Sequence, residues 1–145
     1  MTAAQASRPP GMARWAKWSL RVLAMAVTLL ALVQPVLAGL FVTGDVGMLD
    51  LHGMIASFLV VLAFLQIIAS ILAWRPGRGP AWPVSVSIGI FVVIELQAAL
   101  GYARAIALHI PVGVLLFGLL VALLIAVWSP RSDRRRFTRG RKDAR

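Results

Sequence analysis

The chain has 145 residues, 60% of them hydrophobic and 14% charged, with a formal net charge of +10. A small domain keeps a large fraction of its surface exposed, so this much apolar side chain cannot be hidden in a water-soluble core, and its solvent is lipid. Cysteine is absent, which excludes disulfides and thiolate metal or iron-sulfur sites. The positive charge is confined to segments between and beyond the apolar runs, a topology signal and not a nucleic-acid surface.

Residues 1–17, with Pro9, Pro10 and Gly11, read as a disordered basic lead. Crossing a hydrocarbon core of roughly 30 Å takes about 20 helical residues, and four runs meet that length: 18–42, 48–74, 81–102 and 106–128. Backbone groups in lipid must be satisfied internally, so all four are helices. In the first, Val36-Leu37-Ala38 mimics a signal-peptide cleavage site behind Arg14, Lys17 and Arg21. The run continues through Gly39, Leu40, Phe41 and Val42, and is therefore read as a retained span. Pro35 should kink this helix, with Gln34 beside it to satisfy a freed carbonyl.

The second span opens on Leu51-His52-Gly53-Met54-Ile55-Ala56 and the fourth on Leu108-His109-Ile110-Pro111-Val112-Gly113, a weak internal repeat that contains both histidines of the chain. Pro83 and Pro111 read as first-turn punctuation, the latter if helix 4 becomes regular only near Leu108. The third span carries Glu95, where an isolated ionised carboxylate is expensive; a proton path, a quinone contact or a hydrogen bond to Gln34 would each account for it. Residues 129–145 read as a basic cytoplasmic tail, a solvated anchor that enforces topology or, alternatively, a segment that meets anionic headgroups or a partner.

Fourteen of the fifteen basic residues fall before or at the start of span 1, between spans 2 and 3, or after span 4, and Arg104 alone falls on the other side. Positive residues are retained in the cytoplasm, and all five tryptophans mark the basic side as an interfacial belt. The expected fold is therefore an all-α membrane protein, a four-transmembrane-helix up-down-up-down bundle with both termini cytoplasmic, multi-pass in the cell inner (plasma) membrane. The short connections make sequential helices antiparallel neighbours and place helices 2 and 4 on a diagonal.

His52 and His109 then lie at nearly the same depth near the extracytoplasmic side. Packed helices sit roughly 8 to 10 Å apart, giving a diagonal of about 11 to 14 Å. Two inward imidazoles across that gap suit one planar metal macrocycle; a bare zinc ion wants four ligands. Ala56 and Gly113 lie one turn below the two histidines, where small residues admit a porphyrin edge or, equally, a neighbouring helix. Gln97, Gly101 and Arg104 share one face of helix 3, with Arg104 placed to pair with a propionate or simply to sit in a solvated loop. The alternative for both histidines is an interfacial position that reaches water.

Leu96-Gln97-Ala98-Ala99-Leu100-Gly101 followed by Leu108-His109-Ile110-Pro111-Val112-Gly113-Val114-Leu115-Leu116-Phe117 resembles one half of the heme A synthase family, over about residues 20 to 128. That family is similar to two fused four-helix bundles, each with a histidine pair on its second and fourth helices. The resemblance implies His52 and His109 as axial ligands of a haem b. This chain is half the family length, lacks the cysteine pair of many members, and has Leu49 and Gly53 where the substrate-processing half resembles Glu-x-x-His-Arg, so it looks like the cofactor-holding half. More loosely it resembles a cytochrome b561-like electron carrier. The expected function is a one-haem b-type cytochrome in electron transfer, with the lipid bilayer, a homodimer or larger respiratory complex, and a quinone as partners. A haem-free membrane scaffold or assembly subunit is the competing function. No serine-histidine-aspartate set or phosphate loop supports hydrolytic chemistry.

Overall fold

A computed structural model describes residues 10–75, 77 and 79–129. It is all-helical, with α1 (Pro10–Val42), α2 (Gly47–Trp74), α3 (Trp82–Tyr102) and α4 (Ile106–Trp128). All four are long and apolar enough to cross a membrane. The expected ends hold to within a residue for α2, α3 and α4. The first helix starts earlier, so residues 10–17 belong to α1 and not to a lead: Pro10 suits a first helical position, and Ala16 packs into the core. Residues 1–9 and the tail from 130 onward lie outside the described residues.

Each helix packs on the next, and α4 returns against α1. α2 and α4 therefore occupy opposite corners of a four-helix ring. The interior is built from small and branched residues, among them Ala24, Val27, Ala63, Ala69, Ile90 and Leu120, while large apolar side chains such as Phe58, Phe64 and Leu115 face outward. Small interior residues let helix backbones approach closely, which is what drives association when the surrounding solvent is as apolar as leucine.

The two ends of the ring are chemically different. At one end lie the turns 43–46 and 103–105, and there the rings of His52 and His109 meet. At the other end Trp18 of α1 and Trp128 of α4 meet edge to face, with centroids 5.5 Å apart. Beside both rings the Arg21 guanidinium lies 5.7 Å and 5.3 Å from the two indole centres, and its Nε donates to the Val127 carbonyl at 2.9 Å. That carbonyl is one of the last four of α4, which have no partner within the helix. At the same end the chain leaving α2 wraps back over it: Gly77 N–H and Gly79 N–H donate to Leu72 and Ala73 carbonyls at 2.9 and 2.8 Å. A Cβ on either glycine would lie 2.5 or 2.6 Å from the Ala73 oxygen, so only glycine permits the wrap.

Pro83 sits in the first turn of α3, as its sequence position implies. Pro111 does not sit in a first turn: α4 is already helical at Ile106 and the proline lies inside it. The carbonyl deprived of its donor is that of Ala107, which is exposed near the helix start, so the helix forms through the proline without burying an unsatisfied group.

Candidate haem-binding site at the histidine pair

His52 and His109 lie about 8 and 5 Å past the starts of α2 and α4. Both are half-buried, and their ring centroids are 6.2 Å apart with planes inclined by 53°. Two metal-imidazole bonds of roughly 2 Å each, continued to the ring centres, put centroids about 6 Å apart. The separation therefore fits one metal atom held axially between the rings.

The outer nitrogens support the same reading. His52 Nδ1 lies 3.2 Å from the Gln34 carbonyl oxygen, and His109 Nδ1 lies 3.0 Å from the Gln97 carbonyl oxygen. A carbonyl only accepts, so Nδ1 is the protonated nitrogen in each ring and Nε2 keeps its lone pair. A backbone carbonyl behind the non-ligating N–H is the usual way in which a metal-binding histidine is oriented.

Gln34 holds His52 twice, because its side-chain Nε2 also donates to the His52 carbonyl at 3.2 Å. Gln34 is the site residue that sequence reasoning placed wrongly: it bridges to α2 instead of repairing the carbonyl freed by Pro35. The missed signal is one of register: Gln34 and His52 face each other across the hairpin although Gln34 lies about one helical turn farther from the turn at 43–46. Gln97 plays the corresponding part on α3 for His109. Both glutamines leave Oε1 buried without a donor, an arrangement that a native interior seldom tolerates and that a bound polar group or water would resolve.

The predicted small residues divide. Gly101 lies against the His109 ring, where a Cβ would stand 3.4 Å from Cε1; it seats the histidine. Gly113 receives the Gln97 side chain, whose Nε2 would lie 2.6 Å from an added Cβ. Ala56 is half-buried one turn below His52. Arg104 does not continue the Gln97 and Gly101 face: α3 ends at Tyr102, and Arg104 is exposed with a left-handed φ of 56°. Its N–H donates to the Gly101 carbonyl and that of Ala105 to the Leu100 carbonyl, closing the helix in a Schellman turn at the histidine end. Glu95 makes no hydrogen bond to Gln34, whose bonding is directed to α2.

Deeper in the bundle lies a second polar layer. Gln66, Ser70 and Ser87 are wholly buried, with Gln66 Nε2 directed at Ser87 Oγ at 3.5 Å and Gln66 Oε1 unpartnered. Among the described residues no group of three or more His, Cys, Asp or Glu side chains forms a metal cluster. A macrocycle that brings four nitrogens of its own would need only two further ligands, and the Nε2 atoms of His52 and His109 are the pair that could supply them. No protein-family model, curated protein or solved structure matches this chain.

Proposed function

We propose that this chain is a membrane b-type cytochrome that holds one haem b between His52 and His109 and passes electrons. The observation that carries this reading is the approach of two imidazoles from opposite corners of the bundle to 6.2 Å, each with Nδ1 on a backbone carbonyl. One-electron exchange is the chemistry that haem b supplies with two axial histidines, since no axial position stays open for oxygen. The Gln34 and Gln97 carbonyls fix the ring orientation, Gly101 gives the His109 ring its seat, and Arg104 offers a charge for a propionate at the same end. Leu49 and Gly53 stand where the heme A synthase resemblance would place the acid and the arginine around a substrate-side histidine, which favours electron transfer over oxidation of the haem itself.

The same reading sets the bundle up-down-up-down in the cell inner membrane with both termini cytoplasmic, supported by the one-sided placement of basic residues. The histidine end then faces the extracytoplasmic side, and a quinone or a larger respiratory complex is the electron partner.

The test is a reduced-minus-oxidised optical spectrum of the protein purified from haem-replete membranes. A low-spin spectrum is expected, and His52→Ala and His109→Ala should each abolish it or convert it to a weakly held high-spin form. Protein without haem absorbance would leave a haem-free scaffold as the better reading, and a normal low-spin spectrum in either variant would show that the substituted histidine is not a ligand.

A further inference from the structure

Glu95 lies about 10 Å short of Tyr102, the last residue of α3, well inside the span. It is exposed on the outer surface of the bundle, and no described side chain hydrogen-bonds or pairs with it. Ionisable residues at this depth face a bundle interior, line a cavity or pair with one another, because a carboxyl facing hydrocarbon is costly. Within one copy Glu95 does none of these.

Its surroundings are those of a helix contact. Ser85, Ile88, Val92, Glu95 and Ala99 recur at three- and four-residue spacing along α3, and every one is exposed. Beside them Gly89 faces open space: a Cβ there would meet nothing within 4 Å, so nothing in the bundle's own packing requires a glycine. The other charged side chains described in the spans sit toward helix ends, such as Asp50 at the start of α2 and Arg21 at the tryptophan end. Among the described residues no basic group lies at the depth of Glu95.

We infer that this face of α3 is covered by α3 of a second copy, in a parallel two-fold dimer that joins the two Glu95 carboxyls by hydrogen bonds. A protonated carboxyl both donates and accepts, so a like group satisfies both needs, and a two-fold axis along the membrane normal brings it to the matching depth automatically. The open surface at Gly89, with the short side chains of Ser85 and Ala99, lets the two backbones approach. The dimer does not depend on haem.

Because the chain has no cysteine, single-cysteine variants report contacts without background. In native membranes Val92→Cys, on a residue 58% exposed, should form disulfide-linked dimers. Leu115→Cys, on α4 and 73% exposed, should not. Loss of an interhelical hydrogen-bonded pair in lipid weakens association by roughly 5- to 30-fold, so Glu95→Ala in the Val92→Cys background should lower cross-linking by that order. Glu95→Gln, which keeps a donor and an acceptor, should retain it. Equal cross-linking at the two cysteine positions, or indifference to Glu95→Ala, would overturn the dimer. Loss with Glu95→Gln as complete as with Glu95→Ala would do so too, since it would indicate an ion pair with a basic helix of another protein.

Discussion

Arg104 adopts a backbone conformation that glycine normally fills, and for an L side chain the left-handed region costs roughly 1 to 2 kcal/mol. The Schellman turn at this point would close equally well on glycine, so retention of an arginine at the histidine end points to its charge. Arg104→Gly is therefore expected to raise the thermal stability of the bundle in detergent while shortening haem retention. A structural role alone would move both in the same direction. Arg104→Lys should recover retention only in part, because an ammonium lacks the fork that meets a carboxylate with two bonds. Gly101 gives a sharper test. An added Cβ already touches the His109 ring at 3.4 Å, and the extra methyls of Gly101→Val would push the ring off its axis. A mixed or high-spin spectrum is expected. Gly113→Ala meets only the movable end of Gln97, and its spectrum should stay low-spin.

At the scale of helices, the first is fastened at two levels to two different neighbours. Near the histidine end Gln34 joins α1 to α2, and at the tryptophan end Arg21 joins α1 to α4. Arg21 adds a cation at a helix carboxyl end, a hydrogen bond from a charged donor and two aromatic faces. Arg21→Met is expected to destabilise the bundle by about 1 to 3 kcal/mol, read as a lower detergent melting temperature with the haem spectrum unchanged. The spans themselves were legible from the sequence because lipid dictates both length and hydrogen bonding, leaving little freedom in where an apolar run ends. The rotation of each helix about its axis was less so. α2 and α3 are apolar almost all round, so their sequences carry little periodicity to say which side faces in. That is why the sequence left Glu95 several possible partners and the structure exposes it on the outer surface, whereas depth and the diagonal already direct the two histidines toward each other, and their rings meet at 6.2 Å. Gln34 was visible as a polar residue in a span, but its partner depended on register between two helices. Arg104 was legible as a charge near the site, and its backbone conformation was not.

For the whole molecule, the asymmetry between its two ends is the feature with the widest reach. With the basic side cytoplasmic, as proposed, reporter fusions at Gly77 and after Arg145 should both read cytoplasmic; an external reading at either would overturn that orientation. The bond from Arg21 to Val127 also bears on how the protein is made. The guanidinium belongs to α1, which is synthesised before the other three helices, while its acceptor is made only as α4 is completed. Until then Arg21 must stay in the headgroup region beside Trp18, and the open flank of α1 faces lipid or another protein. The same last helix delivers His109. Ring closure and completion of the histidine pair thus become one late event, and a nascent or truncated chain without α4 displays an unsealed edge to membrane proteases and a single unpaired histidine.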